Sequence, residues 1–355
     1  MHVTGKGLRE NDVKMPAMIS FFLSFFFCFV FTKFWLLVSH RHLLYQKIRD
    51  EGPKTHLEKK IAVPTMGGIA ILLSVLCAIT AVTAWQCFQK KLFCPSISQN
   101  IYPLLLTFFT SGLLGLADDL MKFFRGKNLG LKGRYKILGE CLIGVALWYL
   151  LFKEHLLHPY NALVLKILIF VFGKTHLIVF LALSEIFTLL FVVVVVFATT
   201  SAVNFTDGLD GLACGVTIFP LLFFLYLGIS SREIAVTSFS LTLLGACAAF
   251  LWFNAYPAKI FMGDSGSQAL GGALAALAFQ TRQVFWLPVV GGIFVVETAS
   301  IIIQVIYFKM TGGKRIFKMS PLHHHFELSG IPENQISVRF WIISMLLCLI
   351  ALALH

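Results

Sequence analysis

The sequence predicts an all-α integral membrane protein, a single domain over residues 1–355 built as a polytopic bundle of about ten transmembrane helices. Two observations predict it. The chain is 58% hydrophobic and only 13% charged, with a mean hydropathy of +0.83, which is more apolar than a soluble core requires. Apolar stretches of about 17 to 25 residues, the length a helix needs to cross a bilayer, also recur from one end to the other. They lack the strict alternation of an outer-membrane barrel.

Taken in order, windows of about 20 residues place spans near 18–38, 65–87, 101–120, 135–152, 184–203, 212–230, 234–253, 266–280, 284–308 and 339–354. The first is too long for a signal-peptide core and no small-residue cleavage pattern follows it, so it stays as a span. The stretch 163–183, "LVLKILIFVFGKTHLIVFLAL", is interrupted at its centre by Gly173, Lys174, Thr175 and His176. Its two short β-rich runs predict a small extracytoplasmic hairpin lying at the surface.

The formal net charge of +12 is concentrated in a few loops. With the spans above, the loops 39–64, 121–136, 204–211, 254–265 and 309–339 carry the larger share of Lys and Arg. That side is therefore expected to be cytoplasmic and both termini extracytoplasmic. Charge so distributed suits acidic headgroups or phosphate substrates and argues against a nucleic-acid partner. Six of the eight cysteines lie in apolar runs and none forms C-x-x-C, so they read as packing residues. Cys87 and Cys94 flank a polar loop, where a bridge and two idle thiols both stay open.

This layout gathers five polar motifs on one face: "GPKTHLEKKIAVPTMGG" (52–68), "GLADDLMK" (115–122), "NFTDGLDGLA" (204–213), "FNAYPAKIFMGDSGS" (253–267) and "MSPLHHHFELSG" (319–330). They bring Asp118, Asp119, Asp207, Asp210 and Asp264 to the ends of three different spans. A single aspartate there reads as a helix cap, and "DGLDG" alone reads as an Asx turn. Five together would repel one another beside a bilayer, and a cation relieves that repulsion. Oxygen ligands without cysteine favour a hard ion such as Mg²⁺. Adjacent Asp118 and Asp119 point about 100° apart on a helix, so they are expected to do different jobs.

His323, His324 and His325 are consecutive in a loop that also holds Lys314, Arg315 and Lys318. Three adjacent imidazoles cannot all ligate one zinc from a regular backbone, and a solvated, partly charged loop and hydrogen-bond donors to phosphate both stay open. Lys122, Arg125, Lys127, Lys132, Arg134 and Lys136 form a second basic loop. Most of these residues fix topology, and one or two, Lys122 among them, are expected to touch phosphate. Glu297 lies deep in the ninth span without an identifiable partner and ranks below the loop acids as a candidate.

In this order and spread over 52–330, "PTMGG", "ADD", "NFTDGLDG", "FMGDSGS" and "PLHHHFE" resemble the phospho-N-acetylmuramoyl-pentapeptide transferases, part of the polyprenyl-phosphate N-acetylhexosamine-1-phosphate transferase superfamily. The resemblance implies ten spans, a site on the cytoplasmic face of the bacterial inner membrane, Mg²⁺ and a homodimer. The implied reaction moves phospho-N-acetylmuramoyl-pentapeptide from UDP to undecaprenyl phosphate and releases UMP.

By that resemblance Asp264 is the main metal ligand, and Asp118 and Asp119 handle the lipid phosphate, either as general base or through a covalent phospho-aspartate. His323, with His324 and His325, orients the pyrophosphate. Asn204, Asp207 and Asp210 line the nucleotide pocket, Phe261 stacks on uracil, and Lys60 and Thr65 add contacts. The chain departs from the family pattern in reading "AVPTMGG" at 62–68, with an added residue upstream, and in a longer stretch over 153–183. Two rival readings remain: a related transferase acting on a UDP-N-acetylhexosamine, and a cation or proton transporter, whose acids would sit near mid-membrane rather than at helix ends.

Overall fold

The computed structural model describes residues 10–42, 63–90, 95–125, 130–172 and 177–355. Its elements are helices α1 (Glu10–His42), α2 (Gly68–Lys90), α3 (Pro95–Arg125), α4 (Gly133–Lys153), α5 (His158–Phe172), α6 (Leu177–Thr206), α7 (Leu212–Ser230), α8 (Ile234–Asn254), α9 (Gly263–Gln280), α10 (Gly292–Met310), α11 (Leu322–Glu327) and α12 (Glu333–Leu354). Among the described residues nine helices are long and apolar enough to cross a membrane, and they fall on nine of the ten expected spans.

The tenth, over 266–280, is α9. This helix is rich in Gly, Ala, Ser and Gln rather than Leu and Val, and almost all of it is buried. It occupies the middle of the bundle, packed against α3, α6 and α2. Lipid tails are as apolar as leucine, so membrane helices associate through close packing and hydrogen bonds rather than through hydrophobic burial, and small residues permit that approach. A methyl on Gly68 would collide with the backbone of Gly266, and one on Gly115 with the carbonyl of Asp264. The "GG" and "GLADD" motifs thus fix how closely the starts of α2 and α9 and the end of α3 approach.

Around this centre α1 packs on α8 and α2, α7 on α8, α4 on α6, and α12 on α7. Hydroxyls buried inside the helices bond back one turn, as Thr107 does to the Pro103 carbonyl (2.8 Å) and Thr217 to that of Ala213 (2.7 Å). Ser24 instead bridges α1 to the Thr242 carbonyl of α8 at 2.7 Å. A hydrocarbon surrounding offers no water to satisfy them otherwise.

The described residues of 163–183 do not form a β hairpin. They are helical, the 15-residue α5 and the start of α6, while 173–176 lie outside the described residues. β-branched residues favour strands only where a partner strand completes the backbone hydrogen bonds; next to lipid a helix satisfies them within the segment. The last-but-one span is also shorter than its window, because a 3₁₀ turn (Val284–Trp286) and one helical turn (Leu287–Val290) precede α10 and break at Gly291. The question of a Cys87–Cys94 bridge falls outside the described side chains.

Candidate active site

The ends of α3 and α6 and the start of α9 meet at one end of the bundle. Carboxylate oxygens of Asp118, Asp119 and Asp264 lie within 4.8 Å of one another there. Lys122, one turn beyond Asp118 on α3, places its ammonium among them, 2.7 Å from Asp118, 3.0 Å from Asp264 and 3.7 Å from Asp119. A positive centre therefore already occupies the space between the three acids.

The two neighbouring aspartates have different surroundings. Asp119 accepts the main-chain N–H groups of Asp264 (3.1 Å) and Ser265 (2.9 Å). Helix starts leave such groups without an intrahelical acceptor, and a carboxylate there also meets the positive end of the helix dipole. The turn that presents them passes through Gly263 at φ +76°, a conformation that suits glycine. Asp118 instead pairs with Lys122 and accepts the Leu131 N–H from the segment leading into α4.

Asp264 is held from two sides. Its Oδ1 faces Lys122 and its Oδ2 faces Lys136, each at 3.0 Å. Burial opposes its ionisation, but the two ammonium groups outweigh that and hold the carboxyl well below the usual carboxylate range. Lys136, in the first turn of α4, also reaches the Asn204 side-chain oxygen at 3.4 Å, and Asn204 donates to the Ser267 hydroxyl at 2.8 Å. Sequence reasoning placed Lys136 with the topology-setting bases. Its position inside an apolar helix, rather than in the loop before it, was the available signal.

Asp207, in the turn after α6, is half-buried. Burial first, then the facing carboxylates of Asp264 and Asp119, push it up to about 8. Three acids, Asp118, Asp119 and Asp264, thus contact the ammonium groups of Lys122 and Lys136 while Asp207 feels their field, and the four acids leave two negative charges over when all are ionised.

Asp210 is in the same turn but faces elsewhere. Its carboxylate accepts the Ala258 N–H at 2.9 Å, while its own N–H donates to Glu333 (2.7 Å) and its carbonyl accepts from Ser337 (3.0 Å). It ties the turn to the 255–260 segment and to α12. Phe261 and the residues around Thr65 lie side by side: the Phe261 N–H donates to the Pro64 carbonyl (2.8 Å), and the Phe261 carbonyl accepts from Gly67 (2.9 Å). Lys60 lies outside the described residues.

The three histidines go three ways. His323 is fully buried, and its Nε2 lies so close to Gly208 that a methyl there would collide with it. His324 sits beside it, ring centroids 4.2 Å apart, with Nδ1 3.2 Å from Glu327. His325 accepts the Lys318 N–H on Nδ1 at 3.1 Å. Glu297 has a partner after all, His323, at 3.0 Å.

A polytopic bundle whose buried acids and lysines converge at helix ends defines a membrane enzyme that handles a charged, phosphate-bearing group. The sequence profile of glycosyl transferase family 4 matches residues 101–282. The chain is 41% identical to the phospho-N-acetylmuramoyl-pentapeptide-transferase of Thermodesulfovibrio yellowstonii, over 96% of this chain and 92% of that one. It is 40% identical to the proteins of that name from Halalkalibacterium halodurans, over 95% of this chain and 97% of the relative, and from Acetivibrio thermocellus, over 94% of each. The chain belongs to the phospho-N-acetylmuramoyl-pentapeptide-transferase family.

Proposed function

We propose that this protein transfers phospho-N-acetylmuramoyl-pentapeptide from its UDP conjugate to undecaprenyl phosphate, yielding lipid I and UMP. It does so as a homodimer in the bacterial cytoplasmic membrane, its single domain presenting the site to the cytoplasm. The observation that carries the reading is the meeting of Asp118, Asp119, Asp264 and Lys122 at one helix-end cluster, in a chain of this family. The bias of Lys and Arg towards the loops on that side supports the cytoplasmic orientation.

In the reaction an oxygen of the lipid phosphate attacks the sugar-bearing phosphorus, and the bond to the UMP oxygen breaks. The donor set fits Mg²⁺: it is all carboxylate, closely spaced, and in excess of the local positive charge. When bound, the ion neutralises the diphosphate and the charge developing on departing UMP. Asp264, whose two oxygens meet lysines rather than backbone, would hold it.

Asp118 suits the lipid phosphate better than Asp119 does, because both oxygens of Asp119 already brace the start of α9. Lys122 and Lys136 attract phosphate oxygens once the substrates enter. His323 offers Nε2 to the pyrophosphate beside Asp207, and Asn204 and Phe261 flank the nucleotide. The test is UMP release from membranes supplied with the sugar nucleotide. Release should require both undecaprenyl phosphate and Mg²⁺ and should fall at least about 100-fold in Asp264→Ala. Release that persists in that variant would remove the metal assignment.

A further inference from the structure

Glu297 is a buried acid in the second turn of α10, a helix apolar enough to cross a membrane, and such a group is costly unless it is partnered. Both of its oxygens meet one residue. Oε1 accepts the main-chain N–H of His323 at 3.1 Å, and Oε2 lies 3.0 Å from His323 Nδ1. The two side chains are fully buried. His323 stands in the first turn of the six-residue α11, where a main-chain N–H has no intrahelical acceptor, so the carboxylate fixes backbone and ring together.

A carboxylate only accepts hydrogen bonds. Against the Glu297 carboxylate Nδ1 is the donor, and Nε2 is the nitrogen left for the site. That nitrogen is buried, has no hydrogen-bond partner among the described residues, and is turned against Gly208 in the loop that carries Asp207. In the neutral ring that nitrogen accepts, so it meets a phosphate oxygen as a hydrogen-bond donor once it has taken up a proton.

We infer that Glu297 is the positioning residue for His323: it fixes the ring's plane and tautomer so that Nε2 faces the reacting diphosphate. It also balances the imidazolium formed when Nε2 binds a proton and donates to a phosphate oxygen. The inference rests on the transferase reading above. Glu297 touches no substrate and acts through the ring, as carboxylates behind metal-bound or catalytic histidines do.

Glu297→Gln tests it. The amide keeps the size but replaces one of the two accepting oxygens with an NH₂ donor, so at least one N–H of His323 loses its close acceptor or meets another donor, and the negative charge is gone. UMP release should fall about 10- to 100-fold in kcat, with KM for the sugar nucleotide little changed. Glu297→Asp keeps an accept-only carboxylate and should retain more activity than Gln. In a His323→Asn background Glu297→Gln should cause no further loss, because the group it positions is gone.

Three results would overturn the inference. One is near-normal kcat in Glu297→Gln; another is greater activity in Gln than in Asp; the third is additive losses in the double variant, which would show Glu297 acting elsewhere. Wild-type protein that releases no UMP would instead refute the transferase reading, and this inference with it.

Discussion

Asp119 on α3 and Asp264 on α9 are joined through backbone rather than through their charges: the Asp119 carboxylate accepts the Asp264 N–H at 3.1 Å and the next N–H, of Ser265, at 2.9 Å. One acid is thus the cap that places the other. Its neighbour Asp118 contacts Lys122 and the Leu131 N–H instead.

The two neighbours should therefore fail differently. Asp119→Asn leaves one accepting oxygen for two N–H groups and removes a negative charge from a helix start. A loss of about 1 kcal/mol and a lower melting temperature in detergent are expected. Asp118→Asn should melt as the wild type does while UMP release falls at least about 100-fold, the loss typical for a group that handles the reacting proton. Equal melting temperatures for the two variants would show that Asp119 does not brace α9.

This division was half legible in the sequence. Adjacent aspartates diverge on any helix, so two different jobs could be expected for Asp118 and Asp119, but not which job each has, because that depends on where α9 begins in space. The spans were readable because lipid imposes length and apolarity on each segment separately. The fold departed from that reading where a segment's neighbours mattered. Helix α9 stands where a span was expected but is hidden from lipid, and the described residues of 163–183 are helical although they favour strands. Glu297 could be seen as an anomaly, but its partner lies 26 residues away on α11 and is found only by folding the chain.

Lys136 offers a second test. Its ammonium lies 3.0 Å from Asp264 and 3.4 Å from the Asn204 oxygen. Lys136→Met keeps the stem and removes the charge, leaving Asp264 with Lys122 alone. The cluster then carries one more uncompensated negative charge. Half-maximal activity should need less Mg²⁺ than in the wild type, while KM for the sugar nucleotide should rise several-fold because its diphosphate loses a cation. Titrating Mg²⁺ and sugar nucleotide separately reads both effects. Shifts of the same sign would refute the placement of Lys136 between metal ligand and substrate.

The charge surplus also has a pH signature. Asp207 is pushed up to about 8 in the folded protein by burial and by Asp264 and Asp119, against an ordinary aspartate near 3.9 in the unfolded chain. Between those values the folded state holds a proton that the unfolded state has released, so stability falls as pH rises through this window and levels off above about 8. Asp264, shifted the other way, is ionised in both states above about pH 5 and adds no slope there. With a chelator present, the melting temperature of purified protein should therefore drop between pH 6 and pH 8, within that window. Adding Mg²⁺ should raise it more at pH 8, where Asp207 must ionise against its neighbours, than at pH 6, where it keeps its proton. An Asp207→Asn variant should show a shallower slope, and a smaller difference between its responses to Mg²⁺ at the two values. A wild-type response to Mg²⁺ independent of pH would mean that Asp207 does not share the field of the Asp118, Asp119 and Asp264 cluster.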